Sequence, residues 1–282
     1  MLNIDEILNS TPKNNAQTVN IGEFSFSKLT HNSDYFSIPL GQTFGNQKLT
    51  LSLNDESCLL IAGMTGSGKT VYVKSVMAYL ARQHTHDRIK FVIASPRPKE
   101  YKGIKSSYFL YDPTISSSNQ LTQAFKRLDD ELEARFKIFN DVQVRNIQEY
   151  NKSSKKRMAR ILILLDGYSE IMSKGSKVNR KVLEKSLLKI LQMGRAVGIH
   201  IILTTQKLGA KYLTPFFQAN FFTQIAFKTA DKKDSKNIIY VNGAERLMGK
   251  GDALLSQSHP LSVYLRIQAP YVSDKELNKI LS

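Results

Sequence analysis

From residue 49 onward the apolar positions of this 282-residue chain fall into two alternating rhythms. Short runs dense in Leu, Ile, Val and Phe read as strands: LTLSL (49–53), CLLIA (58–62), IKFVIA (89–94), SYFLY (107–111), ILILLD (161–166), HIILTT (200–205), FFTQIAF (221–227) and SVYLRI (262–267). Between them lie helix-compatible stretches near 70–83, 119–139, 178–197, 231–239 and 273–281. In the helix at 178–197 an apolar stripe runs through Leu183, Leu187, Ile190, Leu191 and Met193, which gathers Lys181, Lys185 and Lys189 on another face. Buried strands alternating with helices predict an α/β fold whose largely parallel central sheet is covered on both sides. Ligands of such sheets sit at the carboxyl ends of the strands.

Residues 1–48 keep neither rhythm. A short helix around Ile4–Leu8, a polar stretch TPKNNAQ and the strand-like segments VNIGEFSF and YFSIPLG predict a small N-terminal arm or subdomain packed on a main domain at 49–282. No internal repeat or low-complexity segment interrupts the main domain.

The phosphate chemistry enters between the second strand and the first long helix. Residues 63–70 read GMTGSGKT, which fits G-x-x-x-x-G-K-[ST] with a strand before it and a helix after it. In that setting Gly63, Met64, Thr65, Gly66, Ser67, Gly68, Lys69 and Thr70 would cradle a nucleoside triphosphate with backbone amides and a helix N-terminus. Lys69 would meet the β- and γ-phosphates, and the Thr70 hydroxyl would ligate Mg²⁺. The competing reading is a glycine-rich turn without a ligand.

ILILLD ends in Asp166, the form of a strand that delivers a carboxylate toward Mg²⁺ through its water shell. An acid farther back in that strand would be buried without a partner. The position after Asp166, where many ATPases carry a water-orienting glutamate, is Gly167, and Glu170 is the nearest carboxylate in sequence. Triphosphate binding is therefore better founded than hydrolysis.

Hydrophobic content of 41% supports a core, and the single Cys58 in an apolar run fits a small buried residue in a reducing cytoplasm. No secretion signal and no membrane-length apolar segment stand out, so a soluble, cytoplasmic protein is expected. The net charge of +16 is concentrated: residues 151–195 hold twelve Lys/Arg against three Asp/Glu, a local +9. That concentration favours a polyanion, either nucleic acid or an anionic surface, over a merely solvated helix face.

With these residues in view, the chain resembles the FtsK/SpoIIIE family of DNA-translocating ATPases over about 36–282. LLIAGMTGSGKT resembles the family's phosphate-loop segment, and ELEARFKIFNDVQVRNIQEYN (131–151) its E-x-R-[YF] and V-R-N-I-x-x-Y-N helix. ILILLDGYSEIM and LQMGRAVGIHIILTTQK (191–207) are similar to its acidic strand end and its R-A-x-G-I-H segment. Residues 219–255 carry its D-S-x-x-I and G-A-E-x-L-x-G-x-G-D-x-L spacings, and APYVSDKELNKIL resembles the end of the motor core. The resemblance implies a RecA-like P-loop NTPase that uses ATP and Mg²⁺ and assembles as a ring, expected to be hexameric, around double-stranded DNA. It carries phosphate binding over to the loop and the magnesium-linked role to Asp166. Gln206 matches the family's polar sensor, against the reading of a residue that only closes a strand. Arg195 matches an interface arginine that reaches a neighbour's γ-phosphate, against pairing with an acid near its own helix end.

Three departures qualify the implication. Gly167 replaces the glutamate, SPRPKEY (95–101) replaces an aspartate-led segment so that Ser95 removes a second acid, and the chain stops after the motor core. A compact coupling motor of a plasmid or integrative element, recruited by a membrane-bound or relaxase-type partner, fits these features. Lys174, Lys177 and Arg180, just after the magnesium strand, are the candidate DNA-backbone contacts. Two alternatives remain: a nucleotide-gated adaptor that binds DNA with little turnover, and a motor acting on polypeptides.

Overall fold

Five of the apolar runs line up as the parallel strands that place the phosphate loop. They are β4 (Cys58–Ala62), β5 (Ile89–Ala94), β6 (Arg160–Leu165), β7 (Ile199–Thr205) and β8 (Thr223–Phe227), in the spatial order β8-β4-β7-β6-β5. Nearly every residue in them is buried, as strands covered on both faces require. The computed structural model describes residues 4–9, 19–20, 36–101, 109–111, 114–206, 208, 213–257 and 263–281.

Beyond β8 the same sheet continues antiparallel through β9 (Asp252–Gln257), β10 (Val263–Gln268), β2 (Ser37–Thr43) and β3 (Lys48–Ser52), giving nine strands. The parallel half is thus contiguous and central to the site, while in the other half β2 pairs with β3 and β9 with β10 as antiparallel chain neighbours. β2 and β3 form a hairpin across the boundary expected at residue 48, and β2 joins the main sheet beside β10. Of that expected arm the described parts are α1 (Ile4–Asn9) and β1 (Val19–Asn20), the latter paired with β11 (Pro270–Tyr271); the rest of 1–35 lies outside the described residues. SYFLY lies partly outside them too; its described part meets β5 through a single bridge between Phe91 and Leu110.

Helices cover both faces. On one side α2 (Lys69–Gln83) and the helix Asp274–Leu281 close over Tyr72, Val76, Met77, Phe91, Ile93 and Phe227. On the other, α3 (Ser118–Asp141) and α6 (Lys177–Val197) bury Leu121, Phe125, Leu132, Leu183, Leu187, Ile190 and Leu191. The predicted stripe of α6 is therefore buried except at Met193, which the structure leaves exposed. A capping box between Ser117 and Gln120 starts α3, satisfying amides that the first turn leaves without partners. Gly198, at φ +74°, ends α6 and turns the chain directly into β7. Among the described residues no helix is long and apolar enough to cross a membrane.

Candidate nucleotide site at the carboxyl ends of the parallel strands

The loop between β4 and α2 is held from three sides. The amide of Gly63 donates to Thr205 O at 3.3 Å and that of Met64 to Lys228 O at 2.8 Å, tying the loop to the ends of β7 and β8. From the antiparallel half, the amide of Gly251 donates to Ser67 O at 3.1 Å. A Cβ on Gly68, at φ +117°, would stand 2.9 Å from that same Gly251 nitrogen, so the G-x-G-D segment presses backbone to backbone on the loop. Asp252 is anchored behind it in a buried two-point pair with Arg266, at 2.9 and 2.8 Å.

Lys69 begins α2 and is almost fully buried. Its ammonium donates to the carbonyls of Gly63 and Met64, both at 2.8 Å. Burial lowers its pKa to about 8, with Asp166 opposing the shift and Arg97 adding to it. A triphosphate offers that ammonium better acceptors than two carbonyls. Thr70 Oγ1 donates to Asp166 Oδ2 at 2.9 Å. The two residues expected at a magnesium ion are thus already joined, and a donated proton leaves the lone pairs of Oγ1 available for a cation. Among the described residues no group of three or more His, Cys, Asp or Glu gathers anywhere. A hydroxyl and one carboxylate suit Mg²⁺, which keeps most of its water when it binds with phosphates.

Asp166 sits at the end of β6 and is 1% exposed. Besides Thr70 it accepts from Tyr101 Oη at 2.9 Å and Thr204 Oγ1 at 2.8 Å. Thr204 Oγ1 in turn accepts the amide of Gly167 at 2.8 Å. Sequence reasoning missed both hydroxyls. β5, β6 and β7 are spatial neighbours, so only the strand order brings the Pro98–Tyr101 turn and the TT of HIILTT to one carboxylate.

Gly167 opens α5 (Tyr168–Ser173) at φ +86°. A Cβ there would lie 3.1 Å from Pro96 Cδ, 3.2 Å from its Cγ and 3.9 Å from Glu170 Oε2. The carboxylate of Glu170 thus folds back beside the position that lacks a side chain. Ser95, fully buried, accepts the Arg97 amide at 3.2 Å, and Arg97 Nε pairs with Glu100 at 3.1 Å.

Gln206 follows β7 at the cradle, where Thr65 Oγ1 donates to its Oε1 at 3.1 Å. Arg195 lies at the opposite end of β7, exposed, with Nη1 donating to Asp55 O at 2.9 Å just ahead of β4. It is therefore remote from the cradle of its own chain. Arg135, of the E-x-R-[YF] motif, is buried and caps α6 by donating to Val197 O at 2.8 Å, while Asn146 caps α4 (Ile147–Ser153). Those two motif residues fix the frame around Arg195. Lys174 is exposed at the end of α5; Arg180 is half-buried and donates weakly to Met172 O at 3.4 Å. The side chain of Lys177 lies outside the described residues.

The model of the FtsK/SpoIIIE family matches residues 24–210. The DNA translocase FtsK of Chlorobaculum tepidum is 34% identical over 263 residues, covering 90% of this chain and 32% of that protein. That of Streptococcus pneumoniae is 29% identical over 284 residues, covering 96% and 36%. The chain thus spans about a third of the length of these relatives. Among solved structures, the pCW3 conjugation coupling protein TcpA, in a monomer form with ATPγS, superimposes with a TM-score of 0.73 at 26% identity, covering 87% of this chain and 69% of that one. The cytoplasmic domain of the Thermomonospora curvata type VII secretion ATPase EccC shares the fold, with a TM-score of 0.71 at 18% identity over 87% of this chain and 30% of its own.

Proposed function

The chain belongs to the FtsK/SpoIIIE family, and from that premise we propose that it is an ATP-driven motor that moves double-stranded DNA, coupling a plasmid or integrative element to its transfer apparatus. The observation that carries the reading is the joined pair of Thr70 and Asp166 beside a buried, desolvated Lys69 at the carboxyl ends of the parallel strands. The likeness to a conjugation coupling protein solved with ATPγS supports the transfer role. Recruitment by a membrane-bound or relaxase-type partner belongs to the same reading.

In this mechanism the loop amides and Lys69 would bind the triphosphate, and Thr70 and Asp166 would hold Mg²⁺. Mg²⁺ held there would supply positive charge against the negative charge that develops on the γ-phosphoryl group. Glu170 orients the attacking water in place of a glutamate at 167, a role supported by its position beside Gly167. Gln206, through Thr65, senses the state of the cradle. Arg195 serves the next subunit, because it lies at the far end of β7 from its own cradle. A head-to-tail contact that pairs unlike surfaces closes into a ring, here taken as six subunits. Lys174, Lys177 and Arg180, at the junction of α5 and α6, grip DNA phosphates without reading sequence.

A second reading has one observation in its favour. Gly167 has a left-handed backbone and a proline neighbour that disfavour any side chain where the usual glutamate would stand. A nucleotide-gated DNA adaptor would need no such group. Steady-state ATPase activity with and without long duplex DNA decides: stimulation supports the motor, tight ATP binding without turnover the adaptor. Turnover indifferent to DNA would point to a polypeptide substrate.

A further inference from the structure

Three hydroxyls converge on Asp166, and the nucleotide motifs account for one of them. Thr70 approaches from α2 on the ligand side. Thr204 approaches from β7 and Tyr101 from the turn that follows β5. An ionised carboxylate offers about four acceptor directions. Three are taken, which leaves about one for a water of the metal shell.

Tyr101 is 2% exposed, and its ring lies in the core between the sheet and α2. The Lys74 ammonium stands 5.9 Å from the ring centroid, and Lys74 is itself fixed by Asp274 at 2.8 Å. Phenylalanine would fill such a place without bringing in a hydroxyl that must find a partner. The partner it finds is the one carboxylate the cradle depends on, at the same oxygen that Thr70 uses. Thr70 must also serve the metal, so its bond to Asp166 is exposed to changes of nucleotide state. Tyr101 and Thr204 are not, and between them they hold one oxygen each.

We propose that Tyr101 is a positioning residue for the magnesium site: its buried hydroxyl holds Asp166 Oδ2 in place whether or not nucleotide is bound. The proposal rests on the reading that the cradle takes ATP with Mg²⁺. Partners of this kind, one step behind a metal-linked group, are worth on the order of 10–100-fold in metal affinity.

The test uses the full chain with Tyr101→Phe, which keeps the ring. A fluorescent ATP analogue is bound in EDTA and then titrated with Mg²⁺. The expected result is a rise of about 10-fold in the Mg²⁺ concentration at half-effect, with metal-free nucleotide affinity and thermal midpoint held near wild type. In an Asp166→Asn background the same change should add nothing, an outcome that a general packing role would not produce. A folded Tyr101→Phe chain with wild-type Mg²⁺ dependence overturns the proposal, as does an equal shift in the Asp166→Asn background. Nucleotide binding by the wild type that is indifferent to Mg²⁺ would instead overturn the reading beneath it.

Discussion

Placing a glutamate at position 167 looks like the obvious way to raise turnover, and the structure predicts that it damages the protein instead. Gly167 holds φ +86° and ψ 42°, a left-handed conformation that costs a residue with a Cβ roughly 1–2 kcal/mol. The new Cβ would also meet the Pro96 ring at 3.1 and 3.2 Å. A proline ring cannot swing aside as a long side chain can, so overpacking adds on the order of 1–3 kcal/mol. Gly167→Glu should therefore destabilise the fold by about 2–5 kcal/mol. At roughly 2–4 °C per kcal/mol for a chain somewhat smaller than this one, the thermal midpoint should fall by about 4–20 °C. Gly167→Ala carries the same backbone and Cβ terms without the charge and should reproduce most of the loss. Adding Pro96→Ala should return the contact part. Calorimetry paired with steady-state ATPase assays reads both arms. A Gly167→Glu chain that melts like wild type and turns over faster would refute the argument.

Further outcomes follow from other groups. Glu170→Gln should leave nucleotide affinity intact and lower turnover by about 10²–10⁴-fold if its carboxylate handles the water proton; unchanged turnover would remove Glu170 from the chemistry. Asp252→Ala strands a buried Arg266 and should cost about 3–5 kcal/mol in urea denaturation, loosening the Gly251 contact with the loop. Lys69 has a pKa of about 8 in the fold against an ordinary 10.5, so between those values the unfolded chain binds more protons and this group adds stability as pH rises. Nucleotide binding needs the protonated lysine, so affinity should fall from pH 7 to pH 9, and a flat profile in nucleotide titrations would count against Lys69. Replacing Lys174, Lys177 and Arg180 by alanine should reduce the salt slope of log K for duplex DNA by about 0.9 per lost phosphate contact, and an unaltered slope would move the grip elsewhere.

The cradle was legible because its chemistry is local: a strand, eight residues and a helix carry it, and Asp166 announces itself at the end of an apolar run. Tyr101 and Thr204 were not, because each is 38 or more positions from Asp166 and only the order of β5, β6 and β7 unites them. β9 went unmarked because its run DALLSQ is short and follows the glycines that pack on the loop. Arg135 and Asn146 stand in motifs whose roles only the fold reveals. Nothing in a sequence distinguishes an arginine that caps a neighbouring helix from one that meets a ligand. The pairing of β2 with β3 across residue 48 is hard to read for a related reason, since a hairpin whose second strand is half-exposed carries a weak apolar signal.

The seven residues of β7 form a stiff tie between Arg195 and Gln206. Extended chain rises about 3.3 Å per residue, so the tie spans roughly 20 Å. It has no slack: it is buried along its length and wedged at its start, where a methyl on Gly194 would collide with Ile199 O. In a closed assembly each such tie would end at one bound triphosphate and begin at the next. Under that proposal, timing between neighbours would need no separate messenger, because a small push at either end would arrive at the other as displacement.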